Sequence, residues 1–212
     1  MDIHNIRREY KKGKLDIKDL NPDPFLQFDS WFQTAVQHID LDPNAMSLAT
    51  VGNDGIPSQR TVLLKYIDNS GLVFFTNYNS RKAEQLNSNP NVSLLFLWLP
   101  LERQIIIEGK AEKVSKSESI KYFMSRPTGS QLGAWVSQQS SIISSRSILL
   151  SKLEELKQKF KDGKIPLPDF WGGYRVIPHR FEFRQGGENR LHDRFLYKRN
   201  DDNSWSINRL AP

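Results

Sequence analysis

The chain has 212 residues, none of them cysteine, with 38% hydrophobic and 11% aromatic residues and a formal net charge of +6. Without thiols there is no disulfide framework, no thiolate metal site and no cysteine nucleophile, and the apolar content is that of an ordered protein. One sizeable core fits the length, no stretch approaches a membrane span, and the basic excess suits phosphate-bearing partners, so a single cytoplasmic domain over residues 1–212 is expected.

Residues 1–20 carry Arg7, Arg8, Lys11, Lys12, Lys14 and Lys18 with little apolar periodicity, the pattern of a mobile basic arm. Asn21-Pro22-Asp23-Pro24 then starts a helix, with Asp23 as N-cap and Pro24 in the first position. Phe25, Phe28, Phe32, Ala35, Val36 and Ile39 follow at helical spacing and give it one apolar face. Short apolar runs at 45–51, 57–67, 72–77, 92–98 and 103–114 are separated by turn signals such as Asn53-Asp54-Gly55 and Asp68-Asn69-Ser70-Gly71, which predicts an antiparallel sheet. Ser115 to Glu118 forms a capping box for a helix that ends at Arg126-Pro127. A second helix runs from about Ser145 to Phe160 and stops at Gly163, leaving residues 130–144 as a connection rich in Ser and Gln. Further strands are expected at 174–177, 180–185, 191–199 and 204–210. Some eight or nine short strands, with helices inserted rather than alternating, predict a closed or nearly closed β-barrel with helical additions.

Chemistry concentrates in four places. Gly186-Gly187-Glu188-Asn189 reads as a hairpin turn leading into Arg190-Leu191-His192-Asp193-Arg194, and strand alternation places Arg190, His192 and Arg194 on one face. Two guanidinium groups flanking an imidazole repel one another unless an anion lies over them; a solvated strand face is the alternative. At Asn79-Ser80-Arg81-Lys82, Ser80 reads as the N-cap of a short helix with two cations in its first turn. Cations are disfavoured there by the helix dipole, so the arrangement points to a phosphate site, against side chains that simply extend into water. The run 60–65 begins with Arg60 and ends with Lys65, which alternation places on opposite faces unless a bulge intervenes. Tyr122, Arg126 and Ser130, at i, i+4 and i+8, fall near one helix face and suit another phosphate or a solvated helix end.

Taken together, Arg7-Arg8-Glu9-Tyr10, residues 60–65, Phe75-Thr76-Asn77, Ser80-Arg81-Lys82, Leu101-Glu102-Arg103-Gln104, Ser125-Arg126-Pro127, Gly133-Ala134-Trp135, Phe170-Trp171-Gly172-Gly173 and residues 190–195 stand in the order they have in pyridoxine (pyridoxamine) 5'-phosphate oxidases. The chain resembles that family from Arg7 to Pro212. The resemblance implies a split β-barrel of α+β class, an FMN cofactor bound between the subunits of a homodimer, and oxidation of pyridoxamine or pyridoxine 5'-phosphate to pyridoxal 5'-phosphate. O2 is the implied acceptor, yielding H2O2 and, from the amine, ammonia, as the last step of vitamin B6 cofactor synthesis and salvage.

Carried over by position, Arg60, Arg81, Lys82 and Ser140 are implied to hold the FMN phosphate. Thr61, Val62, Leu63, Leu64, Lys65, Phe75, Thr76, Gln104, Gln139 and Arg194 are implied to line the rest of the flavin. Lys65, Tyr122, Arg126 and Ser130 would bind the substrate phosphate, Arg190 and His192 would lie over the pyridine ring as catalytic groups, and Arg7 and Tyr10 would close over the substrate as a lid. One position departs from the pattern: the family shows Glu-Phe-Trp-Gln where this chain has Glu182-Phe183-Arg184-Gln185, so Arg184 stands where an aromatic would meet the flavin. Two other readings stay open on composition and fold: a non-catalytic FMN-binding or flavin-reductase relative, and a nucleic-acid-binding barrel, for which basic charge and exposed aromatics also suffice.

Overall fold

The computed structural model of the chain describes residues 1–5, 8–161 and 163–212. Nine strands form one curled sheet: β1 (Ala45–Val51), β2 (Pro57–Leu63), β3 (Tyr66–Asp68), β4 (Gly71–Asn77), β5 (Asn91–Trp98), β6 (Arg103–Lys113), β7 (Trp171–Gln185), β8 (Asp193–Arg199) and β9 (Trp205–Leu210). Five helices decorate it: α1 (Pro24–His38), α2 (Arg81–Ser88), α3 (Lys116–Ser125), α4 (Thr128–Val136) and α5 (Arg146–Lys159). The strand order is β2-β1-β5-β6-β7-β4-β3, with β8 also on β7 and β9 on β8, and every pairing is antiparallel. This is the split β-barrel with helical additions that the family resemblance implies.

β7 divides the barrel. Its first half pairs with β4 and its second half with β8, while β6 follows it along most of its length. Between the halves the register with β6 shifts at Glu108 and Gly109, and His179 has no partner there. Before this bulge Tyr174 and Val176 point into the core; after it Phe181 and Phe183 do. The alternation therefore slips by one residue, which is why the sequence reads as two strands, 174–177 and 180–185, where the fold has one. Gly109 is required at the crossing, because a Cβ there would lie 2.4 Å from the Ile177 carbonyl oxygen.

The core joins the barrel interior to α1. Asp23 accepts a hydrogen bond from the Phe25 amide at 2.8 Å, with Pro24 opening the helix, as the sequence predicts. Phe28 and Trp31 of α1 then meet Phe96 and Phe183 edge to face, with centroids 5.1 and 5.4 Å apart. Truncating any one of these buried rings to alanine removes roughly 3 to 5 kcal/mol. A second, smaller core under the cleft holds Phe123, Leu132, Leu156 and Trp171, which ties α3, α4 and α5 to the start of β7.

Three expectations are corrected. The connection 130–144 contains most of α4, whose Leu132, Ala134 and Val136 are buried. The strand expected over 57–67 ends at Leu63; the Leu64 and Lys65 amides turn away to bond the Asn44 and Val73 carbonyls. The basic arm is anchored rather than loose over part of its length, since Leu15 is buried in the main core.

Candidate active site

A cleft of about 950 Å³ is bounded by β2, β4, the start of α2, the α3–α4 junction and Trp171. Of the residues singled out in the sequence it collects Arg60, Thr61, Val62, Leu63, Lys65, Phe75, Thr76, Arg81, Lys82, Tyr122, Arg126, Ser130, Gln139 and Ser140. Leu64 is not among them, because its side chain is buried in the core. Arg60 and Lys65 reach the same cleft, since the chain leaves the β2 ladder between them and strict alternation no longer applies.

One side of the cleft is built on α2. Ser80 occupies the N-cap position, but its hydroxyl donates to the Asn77 carbonyl at 2.7 Å instead of capping the helix. Lys82 turns inward, is buried, and donates to Gln139 Oε1 at 2.7 Å, Thr76 Oγ1 at 3.0 Å and Ser80 Oγ at 3.2 Å. Arg60 donates to Thr50 Oγ1, Ser58 Oγ and the Leu48 carbonyl. All of these partners are neutral. Burial, followed by the charge of Arg60, lowers the Lys82 pKa to about 8; burial and then Arg81 lower that of Arg60. The loop after α4 brings Ser140 to the Arg81 amide at 3.3 Å and is itself held by Asn77, whose amide group donates to the Ser137 carbonyl. Gln85, one turn beyond Lys82, was not singled out in the sequence. Its Oε1 accepts from Thr50 and Ser58, fixing the groups that hold Arg60. Its i+3 spacing from Lys82 was the available signal.

The other side is aromatic. Phe75 stacks on Tyr122 at 4.0 Å and on Trp171 at 5.5 Å, and the Arg126 guanidinium lies 4.7 Å from the Trp171 ring centroid. Arg126 is the C-cap of α3 and Ser130 belongs to α4, so they meet across a helix junction and not along one helix face. Burial lowers the Arg126 pKa, and its Nη1 is buried with no hydrogen-bond partner. A buried donor left in this state costs roughly 1 to 3 kcal/mol, and an anion in the cleft relieves it. The cleft thus holds two sets of cations with no carboxylate bonded to them among the described residues. These residues fit a ligand, or a pair of ligands, with phosphate at two places.

The remaining candidates lie outside this cleft. Gln104, Arg184 and Arg194 stand opposite one another on β6, β7 and β8. Arg194 is engaged within the chain, donating to buried Glu182 at 2.8 Å and to the Ala211 carbonyl at 2.7 Å. Arg190 does not share a strand face with His192 and Arg194. It sits in a 3-10 turn, Glu188–Arg190, with φ of 64°, and β8 begins only at Asp193. His192 Nδ1 accepts from the Gly187 amide at 3.1 Å, which leaves the ring proton on Nε2. Burial lowers the His192 pKa, with further contributions from Arg184, Arg190 and Arg194, all of which favour the neutral ring. Tyr10 packs edge-on against this imidazole at 5.4 Å. Arg7 falls outside the described residues.

The fold and the cleft define a split β-barrel protein with a cationic, aromatic-walled cleft. Residues 32–160 match the family model described as pyridoxamine 5'-phosphate oxidase, and residues 171–212 match the pyridoxine 5'-phosphate oxidase C-terminal dimerisation region. Pyridoxine/pyridoxamine 5'-phosphate oxidases from Rippkaea orientalis and Escherichia fergusonii are 61% and 58% identical, covering 100% and 99% of this chain and 100% and 96% of their own lengths. The solved structure of PhzG from Burkholderia lata, in complex with tetrahydrophenazine-1-carboxylic acid, is 31% identical, with a TM-score of 0.87 over 94% of this chain and 100% of its own. The chain belongs to the pyridoxine/pyridoxamine 5'-phosphate oxidase family, and is an oxidoreductase of that family. No helix among the described residues is long and apolar enough to cross a membrane.

Proposed function

We propose that the protein oxidises pyridoxamine 5'-phosphate and pyridoxine 5'-phosphate to pyridoxal 5'-phosphate, as a homodimer with FMN bound between subunits. The alcohol and O2 give the aldehyde and H2O2; the amine, O2 and water give the aldehyde, ammonia and H2O2. The observation that carries the reading is the pair of cation sets in one cleft, Lys82 with Arg60 and, across it, Arg126 with its unpartnered Nη1. FMN, when bound, supplies the hydride acceptor that no side chain can provide.

Arg60, Arg81, Lys82 and Ser140 hold the cofactor phosphate through charge-assisted hydrogen bonds. Thr61, Val62, Leu63, Phe75, Thr76 and Gln139 line the adjoining wall. Lys65, Tyr122, Arg126 and Ser130 take the substrate phosphate, and fixing both phosphates orients the reacting carbon. Gln104, Arg184, Arg190, His192 and Arg194 are supplied to this cleft by the other subunit, since within one chain they lie outside it. Arg190 positions the substrate ring; His192, with its proton on Nε2, donates a hydrogen bond to the substrate. Arg184 replaces aromatic packing with positive charge beside that imidazole. Tyr10 covers the bound substrate.

The purified protein is expected to be yellow, to carry FMN, and to release H2O2 when pyridoxamine 5'-phosphate is added. A yellow protein that makes neither peroxide nor pyridoxal 5'-phosphate would be a non-catalytic flavin binder. A colourless protein with salt-sensitive affinity for oligonucleotides would sink the reading altogether.

A further inference from the structure

Glu102 is a buried carboxylate in the connection between β5 and β6, and its backbone is left-handed, with φ of 56°. Among the described residues, its one ion pair is with Arg8 of the arm. Its partners come from the arm: Arg8 Nη2 donates to Oε1 at 3.0 Å, and the Lys12 amide donates to Oε2 at 2.9 Å. Burial alone would raise its pKa, but the Lys12 and Lys11 amides and the Arg8 guanidinium outweigh that and hold it below the usual carboxylate range. Arg8 also donates to the Leu99 carbonyl, so one guanidinium spans the whole turn.

The same turn governs Tyr10. The Glu102 carbonyl accepts from the Gly186 amide at 2.7 Å, bringing the start of the His192 loop against it. A Cβ at residue 186 would lie 2.7 Å from the Tyr10 ring, so this glycine makes room for the tyrosine. Glu102 therefore holds the arm on either side of Tyr10, at Arg8 and at Lys12, while the ring rests on His192.

We infer that Glu102 is a positioning residue: it clasps the arm so that Tyr10 is set against His192 in the geometry that covers the substrate. The inference rests on the functional reading given above. The clasp joins a buried carboxylate to donors supplied by the arm, so removing either partner frees the arm.

Two variants test this, Glu102→Gln at the barrel and Arg8→Met at the arm, the second leaving the barrel untouched if the first folds poorly. Limited trypsin digestion of the flavin-loaded protein reads cleavage after Lys11, Lys12 and Lys14 without any substrate. Steady-state kinetics with pyridoxamine 5'-phosphate read KM apart from kcat. Both variants are expected to speed cleavage of the arm about tenfold and raise KM about tenfold, with kcat within about threefold and FMN content unchanged. Unchanged cleavage in both variants would overturn the clasp, and faster cleavage with unchanged KM would overturn its role in positioning. A wild-type protein without oxidase activity would instead count against the assignment of the site, because the digestion is read independently.

Discussion

Lys82 shows how one side chain links the fold to ligand binding and to pH. Its ammonium group is buried among neutral acceptors, with Arg60 nearby, and titrates at about 8. A lysine whose folded-state pKa lies below its unfolded value destabilises the fold while it is charged, so the apoprotein should gain stability as pH rises from about 8 towards about 10.5. Phosphate binding runs the other way, because the anion needs the cation. FMN affinity should therefore fall above pH 8, by at most about tenfold per pH unit. Fluorescence titration of FMN and thermal melts of the apoprotein, each across pH 7 to 10, measure the two trends separately. Lys82→Met should weaken FMN binding at pH 7 and flatten both profiles; a wild-type affinity independent of pH would contradict the role given to this lysine.

At the scale of elements, the sequence carried most of the strand and helix order and most of the cleft, but two kinds of feature were hidden. The first is irregular backbone. Alternation puts Arg190 on a strand with His192, whereas Asn189 and Arg190 both adopt positive φ, a conformation common for asparagine but not signalled by arginine. The second is apolar content diluted by polar neighbours: α4 buries Leu132, Ala134 and Val136 within a run of Ser, Gln and Gly that reads as linker. Arg126 and Ser130 were placed together for the wrong reason, by helical spacing, when a helix junction brings them into one cleft. The bulge in β7 belongs with the first kind and is testable. His179 is exposed and has no partner across the ladder, so His179→Ala should change stability by no more than about 0.5 kcal/mol. Deleting the residue would restore strict alternation and leave Tyr174, Val176, Phe181 and Phe183 on the core face, so the variant should still fold in urea titration, losing only the local bend that the bulge supplies. Loss of the folded state on deletion would show that the barrel depends on that bend and not on alternation alone.

At the scale of the molecule, each chain presents two separate groups of candidate residues: the cleft with Arg126, and the loop with Arg190 and His192. If the site is shared between subunits, Arg126→Ala and Arg190→Ala damage different halves of the same centre. Each variant alone should lose most of its activity. Co-expressed at equal levels they should recover about a quarter of the wild-type sites, since about half of the dimers are mixed and each of those has one intact centre. Differently tagged subunits and tandem purification isolate the mixed species for assay; no recovery there would place both halves in one subunit. The cations of the cleft have one more consequence, which reaches beyond catalysis. Arg60, Arg81 and Lys82 repel one another until an anion arrives, so FMN bound as proposed would also act as the counterion that completes the native state. By mass action the folded population would then follow the supply of that cofactor, gaining about 2.7 kcal/mol at a free concentration one hundred times Kd. The abundance of this protein in a cell, and not only its turnover, would become a readout of how much flavin is available.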